Sequence, residues 1–591
     1  MSKLKNHIDY MGDMGGKMDK LKKIYRAMLV SLPIVLFFSY YPVIRLGENS
    51  TMNFELSLPL IWLVVFDGVT VLILAKMFFS TLSYSSHRRG GITFGSRDHN
   101  LNQTISSVPK GQVWTEPDES CDEAFSLTSL CKTVYGSTMK QDRSEYIDSL
   151  KRRRIGEISL KLGLALFPVY VSISILWSKN LVRGVLVCGI LWLIIIAVFG
   201  VFKLGRIVLD YKFKVNFLRG ILGGSLAVAI WCLVQCVLDV AGVSRECTLL
   251  CAGCTYNMFG FPHPNGFAIE PQFMGNLMLM PIFVTLYLLT LRGKKAEEFL
   301  AKVTLVSKVR LKKKGVAVAL RRVFGLSFIF MATLFLTFSR GAIYAFLGGL
   351  VLFTIVQALK RRRKLVLMVW PMAIFAFLFT LNLQGVFTVL SPTDDTYYDG
   401  VARVINHLTL GVVDIRGHEE TGNLDSGVSV LASDKDLEGG EIKPKVDRDE
   451  AVFDGYVAES TDIRMKLTRG ALRVWGDDFR TMVFGVGIGG AGEAMYLAGE
   501  TKTPKEIVQN EYVSLLLETG LVGAILATLL VLTFLFVIRK SEARGVLTAL
   551  ILAYSISLCF FAGLPNALQI YLLPGILAVL LNLCPGSPLE S

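Results

Sequence analysis

The chain has 591 residues, of which 52% are hydrophobic, and it carries a formal net charge of +14. Apolar runs of roughly 18 or more residues recur along it, the length that a helix needs to cross ~30 Å of hydrocarbon, so a soluble enzyme is excluded as the class. The basic residues crowd into short segments between these runs, which indicates orientation in a membrane rather than a nucleic-acid partner.

The hydropathy pattern predicts an all-α polytopic membrane protein with about twelve transmembrane helices. The predicted spans are 28–44, 58–79, 158–177, 184–202, 217–240, 272–291, 323–338, 342–359, 365–383, 512–538, 546–562 and 568–583. Lysine and arginine cluster in short connections such as 151–154 and 360–364, and positive short connections mark the cytoplasmic side. An even number of spans then puts both termini in the cytoplasm. The prediction is a multi-pass protein of the cytoplasmic (inner) membrane.

Two hydrophilic segments divide these spans into five regions. Spans 1 and 2 occupy 1–80, and a cytoplasmic insert rich in Ser, Thr and Asn, which we expect to be flexible, follows at 81–157. Spans 3 to 9 occupy 158–383, and spans 10 to 12 occupy 512–591. One large extracytoplasmic loop, 384–511, separates spans 9 and 10, and acidic residues outnumber basic ones in most of it.

The pattern inside this outer loop changes along its length. Residues 394–449 are rich in Gly, Asp and Lys and predict irregular structure. Residues 459–475 carry apolar side chains at helical spacing and predict an amphipathic helix that begins near a capping residue, Thr461 or Asp462. The loop is therefore expected to contain at least one ordered element.

The predicted helix carries three arginines. Arg469 and Arg473 are four residues apart and share one face, whereas Arg464 lies on another. On a solvated helix, Arg464 would pair with an acidic neighbour such as Glu459 or Asp462. At a functional site it would instead remain available for an anion.

Ser339-Arg340-Gly341 lies between two apolar spans, 323–338 and 342–359. An arginine here cannot face lipid without a cost of several kcal/mol, so we expect it to point into a protein-lined, partly wet cavity. Its guanidinium would present donors in a planar fork that suits phosphate oxygens. The alternative is an interfacial anchor whose side chain snorkels to the membrane surface.

Other polar residues in or near the spans have two readings each. Glu270 precedes a proline at the start of a span and is either a catalytic carboxylate or a solvated one. His263, between two prolines, is either a loop residue or a substrate contact. Asp67 lies in mid-span, where a carboxylate is costly, and serves either a structural bond or a proton or substrate role. One disulfide, but no metal site, is expected among Cys247, Cys251 and Cys254.

At these residues the sequence resembles the O-antigen ligase and O-antigen polymerase superfamily of bacterial envelope proteins, from about residue 155 onwards. The resemblance rests on the order of weak motifs: Ser-Arg-Gly-Ala between two spans, a large outer loop two spans later, and an arginine-bearing helix within it. A glycine series at 485–489, Asn510 with Tyr512, and Glu-Thr-Gly-Leu-Val-Gly at 518–523 follow in that order. The glycine series predicts turns, since the strand-turn-helix context of a nucleotide loop is missing.

The resemblance implies a metal-independent integral-membrane glycosyltransferase without a cofactor. Its donor would be a glycan linked through diphosphate to a polyprenyl lipid such as undecaprenol, and its acceptor a hydroxyl of a glycan, lipid or protein. Negative charge grows on the leaving diphosphate, so Arg340 and Arg464 are the predicted catalytic arginines. Membrane lipids are expected partners, and a chain-length regulator stays open as another. Substrate-binding roles are predicted for Gln509, Asn510, Tyr512, Arg469, Arg473 and His263.

The sequence departs from the superfamily pattern at the position of the expected base. Ligases of this kind have a His-Asn pair before the tenth span, and this chain has Gln509-Asn510, whose glutamine has no accessible basic form. A second arginine that often precedes the sixth span is also missing. Glu270 with the following proline resembles an element of polymerase-type members. We therefore favour a polymerase-like transfer, with Glu270 as the candidate base.

The rival hypothesis is a transporter or flippase of a lipid-linked or amphipathic substrate. About a dozen spans with intramembrane charges suit a transporter equally well. Transporters often contain internal repeats with paired broken helices, and the two halves of this chain show no convincing repeat. A long outer loop with several arginines also favours catalysis at the outer face. A scaffold of an envelope assembly would explain the cytoplasmic insert but not these arginines.

Overall fold

A computed structural model describes most of the chain. The described residues are 2–38, 43–46, 54–89, 165–209, 211–241, 261–268, 270–292, 294–304, 308–391, 396–409, 450–504, 506–539, 541, 543–562 and 567–583. The chain divides into one unit formed by Met1–Val71 with Leu162–Ser591, and a second unit, Leu72–Lys161. Of the second unit the structure describes 72–89, which are helical.

The described elements are helices, apart from one short hairpin. Its strands, β1 (Val43–Leu46) and β2 (Phe54–Ser57), pair antiparallel with Val43 opposite Ser57. The helices are α1 (Ser2–Val35), α2 (Leu58–Arg89), α3 (Ala165–Trp177), α4 (Leu181–Val208), α5 (Tyr211–Val240), α6 (Pro271–Thr290), α7 (Lys294–Val303), α8 (Lys308–Leu336), α9 (Arg340–Leu359), α10 (Arg363–Leu390), α11 (Tyr397–Thr409), α12 (Glu450–Gly476), α13 (Phe479–Phe484), α14 (Ala491–Leu497), α15 (Glu511–Ile538), α16 (Arg544–Ser557) and α17 (Leu568–Leu583).

Eight helices in the described part of the chain are long and apolar enough to cross a membrane. They lie within α2, α4, α5, α6, α8, α9, α10 and α15, while α3, α16 and α17 are apolar but shorter. The multi-span helical class is therefore confirmed, and the count of twelve spans stays a prediction. The assignment of the two faces to cytoplasm and exterior stays a prediction as well.

The structure corrects three local expectations. The predicted span 28–44 is wrong in its second half, because α1 ends at Val35, two residues after Pro33, and Val43 begins a strand. Residues 81–89 continue α2 instead of beginning a flexible insert, of which 90–157 lie outside the described residues. Within the supposedly irregular 394–449, residues 397–409 form α11, which buries Ala402, Val404 and His407.

The amphipathic helix predicted at 459–475 is confirmed as part of α12. The helix begins earlier than predicted, at Glu450, so neither Thr461 nor Asp462 caps it. Its apolar face packs on α14 and α15 through Leu467 and Ala471, both buried. The later part of the predicted outer loop is thus anchored on the start of a membrane helix.

Helix α6 is the central helix of the described membrane region, since 89% of its span is buried, against at most 44% for the other spans. Helices α9 and α16 approach it at small residues. A Cβ on Gly349 would lie 2.6 Å from Cζ of Phe283, 2.9 Å from the carbonyl oxygen of Ala549 and 2.9 Å from Cβ of Ala553. Close approach of backbones at small residues drives helix association where water does not. This packing fixes how the ends of α6, α9 and α16 lie relative to one another.

We predict that Gly349→Leu lowers thermal stability and that Gly189→Leu does not. A side chain at Gly349 has no room between three helices, and overpacking typically costs about 1–3 kcal/mol. Gly189 lies in α4, and no atom of the described residues lies within 4 Å of the position that its Cβ would take. The melting temperature of each purified variant in detergent, followed by intrinsic fluorescence, tests this. Equal melting temperatures for the two variants would show that α9 has freedom to move.

Candidate active site

Arg340 begins α9 directly after a tight turn. Helix α8 ends at Leu336, and the turn places Phe338 at φ 44°, a region that costs a residue other than glycine about 1–3 kcal/mol. The Phe338 side chain is fully buried and meets the ring of Phe261 edge-to-face at 5.3 Å. Burial of this ring helps to offset the backbone strain, and the turn separates Arg340, at the start of α9, from the end of α8.

The guanidinium of Arg340 lies in a partly buried position without a counter-charge. Its Nη1 atom is buried and has no hydrogen-bond partner among the described residues. Arg464 of α12 is close enough for its positive charge to act on Arg340. Within the described ranges neither arginine forms an ion pair with a carboxylate. The two predicted catalytic arginines therefore lie near enough for their charges to interact, and no carboxylate of the described residues pairs with either of them.

The other charged residues of α12 are arranged differently. Arg473 forms an ion pair with Glu500 at 3.1 Å, and Arg469 is exposed. Asp462, one suggested partner of Arg464, pairs with Lys466 at 2.6 Å instead. The separation of Arg464 from the face of Arg469 and Arg473, predicted from helical spacing, is therefore seen in the structure.

Two histidines surround the turn before Arg340. His263 lies between α5 and α6, and His407 lies in α11, with their ring centroids 5.9 Å apart. The imidazole of His263 hydrogen bonds to the backbone of Thr337, and that of His407 to the backbone of Phe338. Sequence reasoning singled out His263 but missed His407, because 397–409 was taken as irregular. The helical spacing of Gly400, Val404 and His407, which places these three buried residues on one face, was the signal that could have found it.

Both imidazoles are electrically neutral near pH 7. Burial lowers the pKa of His263 well below its usual value, and the neighbouring His407 and Arg340 lower it further. Burial, and next the charge of Arg340, lower the pKa of His407 to about 4. The positive charge of this cluster is consequently carried by the arginines alone.

The start of α6 lies against the start of α9. A Cβ on Gly341 would lie 2.9 Å from Nε2 of Gln272 and 2.9 Å from Cβ of Phe560, so only glycine fits there. Glu270 is exposed, just before α6, and its side chain makes no capping hydrogen bond. The start of α6, just after Glu270, therefore lies next to the start of α9, which carries Arg340.

The start of α15 joins the same group of helix ends. Asn510 caps α15 by accepting hydrogen bonds from the backbone N–H groups of Tyr512 and Val513, at 3.1 and 3.2 Å. The hydroxyl of Tyr512 donates to the carbonyl oxygen of Ser555 at 2.8 Å, near the end of α16. Just beyond α16, Phe560 packs near Tyr344 of α9, with ring centroids 5.9 Å apart. Tyr512 therefore connects the start of α15 to the end of α16, which packs on α9, the helix of Arg340. Asn510 caps α15 itself, and Gln509 stays partly exposed.

At the glycine series after α13, the backbone crosses helix α15 at close range; we call this contact the backbone crossing. Gly485, Gly487 and Gly489 have φ of 75°, 92° and 75°, so the predicted turns are confirmed. The N–H of Gly487 donates to the carbonyl oxygen of Glu518 at 2.9 Å, and a Cβ on Gly485 would lie 2.4 Å from that same oxygen. Gly520 breaks the regular helix of α15 at this crossing, with φ 64°. The two glycine motifs of the sequence thus pack against each other.

A cavity lined by both polar and apolar side chains lies beside this crossing. The buried carboxylate of Glu518 accepts hydrogen bonds from the backbone N–H groups of Gly489 and Ala491, and Arg183 lies close to it. Glu511 accepts a hydrogen bond from the hydroxyl of Tyr571 at 2.8 Å. Arg183, Glu511, Ser514 and Glu518 line the cavity together with apolar side chains of α3 and α4. Sequence reasoning did not single out Glu511, which adds a second carboxylate near the start of α15.

Asp67 lies in α2 and is only 3% exposed. Neither of its carboxylate oxygens has a hydrogen-bond partner in the part of the chain that the structure describes. A structural bond to another span, one of the two predicted roles, is therefore not found there. Cys247, Cys251 and Cys254 lie outside the described residues, so their disulfide stays a prediction.

The fold and the site define a multi-span helical membrane protein whose helix ends surround a pair of arginines without a carboxylate partner in the described residues. Residues 325–528 match the family model described as O-antigen ligase. The match confirms the resemblance, and the chain carries a domain of the O-antigen ligase and polymerase superfamily. The matched range includes Arg340, Arg464 and the motif at 509–523, whereas His263 and Glu270 precede it. No curated protein and no solved structure matches the chain.

Acidification is expected to destabilise the protein through His407. The unfolded chain protonates a histidine near pH 6.5, whereas the pKa of folded His407 is about 4. Its contribution to stability is complete above about pH 6.5 and falls by up to about 1 kcal/mol per pH unit as the pH drops towards 4. Melting temperatures of wild type and His407→Gln between these pH values test this. His263 titrates in both proteins, so identical pH profiles would contradict the assignment to His407.

Proposed function

We propose that the protein is an integral-membrane glycosyltransferase that moves a glycan from a polyprenyl-diphosphate-linked donor to an acceptor hydroxyl on the outer side of the cytoplasmic membrane. A polymerase-like reaction, in which the acceptor is itself a glycan, is favoured. The observation that carries the proposal is the pair Arg340 and Arg464, which are partly buried, lie near enough for their charges to interact, and have no carboxylate partner in the described residues. The match to the O-antigen ligase family supports it.

Electrostatics favour an anion between these two arginines. Two like charges in a partly desolvated place destabilise each other, and an unpaired buried N–H group has lost its water without gaining a partner. A diphosphate would supply several acceptor oxygens to two planar donor forks. The ligand therefore stabilises an arrangement that is unfavourable without it.

The same charges suit the proposed reaction. The bond between the anomeric carbon and the diphosphate oxygen breaks, and a bond from that carbon to the acceptor oxygen forms. Negative charge grows on the leaving polyprenyl diphosphate, so donors placed at its oxygens bind the transition state more tightly than the ground state. The proposal assigns this stabilisation to Arg340 and Arg464, with no metal ion as a participant.

The proton of the acceptor hydroxyl needs an acceptor of its own. Gln509 cannot take it, since an amide has no accessible basic form. Glu270 is exposed and lies two residues before Gln272, whose amide nitrogen would be 2.9 Å from a Cβ placed on Gly341. We assign the role of base to Glu270 on this ground. Glu511, in the cavity beside α15, is the competing carboxylate.

The residues predicted to bind substrate differ in the exposure of their side chains, and we assign their roles accordingly. Arg469 is exposed and Gln509 partly so, which leaves their side chains accessible to the sugars of donor or acceptor. Asn510 and Tyr512 act through the start of α15, which they hold in place. Arg473 forms an ion pair with Glu500 and would bind substrate as part of that pair. A chain-length regulator remains a proposed partner.

We predict that Arg340→Ala and Arg464→Ala each reduce glycan transfer by about 100-fold or more, the usual loss for one transition-state donor. Lys466→Ala is the matched control on α12, because this lysine pairs with Asp462 at the surface. Purified protein in nanodiscs is given lipid-diphosphate-linked glycan, and released polyprenyl diphosphate is measured. Undiminished release by Arg340→Ala would refute the assignment. An intact donor that wild type instead flips across vesicle membranes would support the transporter hypothesis.

We predict that Glu270→Gln lowers kcat by about 100-fold or more, as for loss of a general base. Glu511→Gln is measured alongside, with folding checked by gel filtration in detergent. A loss confined to Glu511→Gln would contradict Glu270 and move the base to the cavity beside α15.

A further inference from the structure

The turn that presents Arg340 is held at two successive backbone groups by side chains from distant segments. The imidazole of His263 bonds to the backbone of Thr337, and that of His407 to the backbone of Phe338. The N–H groups of these two residues already donate within α8, to Thr333 at 3.2 Å and to Phe335 at 2.9 Å. The histidines therefore donate to the carbonyl oxygens, which a helix end otherwise leaves unsatisfied.

This turn needs such support because its backbone is strained. Phe338 has φ 44°, and such a conformation persists only where the surroundings over-determine it. The ring centroid of Phe261 lies 6.0 Å from that of His263, 5.3 Å from that of Phe338 and 5.5 Å from that of His407. The two imidazoles and the strained residue therefore form one packed cluster around Phe261. Arg340 follows two residues later, and a change at the turn moves the start of α9.

The segments that carry the histidines are themselves fixed. The side chain of Gln235 bonds to both the N–H and the carbonyl oxygen of Gly266, at 2.8 and 2.9 Å, which holds the segment of His263 on α5. The hydroxyl of Tyr344 in α9 donates to the carbonyl oxygen of Leu408 at 3.2 Å, which holds α11 beside the turn. Both segments that carry the histidines are therefore tied by hydrogen bonds to a membrane helix, α5 or α9.

The histidines add donors without adding charge. They are neutral near pH 7, so the field at the arginine pair is not made more positive by them. The charged and titratable groups that act on this cluster are Arg340, Arg464 and Tyr344. Two neutral hydrogen-bond donors can therefore hold the backbone just before Arg340 without adding positive charge next to its guanidinium.

We infer that His263 and His407 are positioning residues for Arg340, which hold the carbonyl groups of the preceding turn so that the guanidinium meets the diphosphate of the donor. The inference rests on the proposed function and adds two residues to it. Neither histidine touches the reacting atoms in this arrangement. They act through the backbone at residues 337 and 338.

Two substitutions of His407 separate the effect of its hydrogen-bond donor from the effect of its aromatic ring. His407→Phe keeps an aromatic ring against Phe261 but cannot donate, whereas His407→Gln keeps an N–H donor and loses the ring. We expect His407→Phe to lower kcat about 10- to 100-fold with KM changed much less, the effect of a small misplacement of a catalytic group. We expect His407→Gln to retain most of the activity. Full activity of His407→Phe, or equal losses in both variants, would overturn the inference.

A double-mutant cycle with Arg340→Ala shows whether the effect passes through the arginine. If His407 acts only by placing Arg340, His407→Phe changes neither kcat nor pyrophosphate affinity further in the Arg340→Ala protein. Binding of inorganic pyrophosphate, measured by calorimetry on the folded protein in detergent, gives a readout that does not depend on the correct glycan. Additive effects would overturn the positioning role. Undiminished pyrophosphate binding and transfer by Arg340→Ala alone would instead overturn the proposed function.

Discussion

The site depends on one electrostatic constraint, the placing of two arginines together in a partly buried position without a neutralising carboxylate among the described residues. Arg340 comes from the start of a membrane helix and Arg464 from a helix of the long segment between α10 and α15. Nearby acidic residues are engaged elsewhere, Asp462 with Lys466 and Glu500 with Arg473. Like charges held this way are stabilised by an anion from outside the chain, which is why the pair suggests a diphosphate ligand.

Holding the two arginines in place requires that several helix ends meet at close range. Glycine permits this at Gly341, where Gln272 of α6 and Phe560 beyond α16 approach the backbone, and at Gly349, where three helices meet. Gly485 and Gly520 allow the chain after α13 to cross α15 with direct backbone contact. The motifs by which the superfamily is recognised therefore include residues that no substrate needs to touch, because their role is to let backbones approach.

The local patterns of the sequence predicted much of this arrangement. Apolar runs of the right length predicted most of the membrane helices, and a period of 3.6 residues predicted α12 and the separation of Arg464 from Arg469 and Arg473. The patterns failed where local and tertiary preferences compete. The run 28–44 is apolar enough to span, but Pro33 lies near the end of α1 and the chain then forms a hairpin. Helix α11 was missed because it has only 13 residues and belongs to the segment 394–449, which is otherwise rich in Gly, Asp and Lys.

By itself, the sequence determined the multi-span helical class and the resemblance to the superfamily, and it predicted which residues form the site, because hydropathy, helical period and motif order are local properties of the chain. Only the tertiary structure decided which charges are neutralised and which are not. It leaves Arg340 and Arg464 together, pairs Arg473 with Glu500, and brings His407 to the turn beside His263. These outcomes depend on contacts between segments far apart in the chain, and burial and electrostatic pairing are set by distance in space rather than by distance along the sequence.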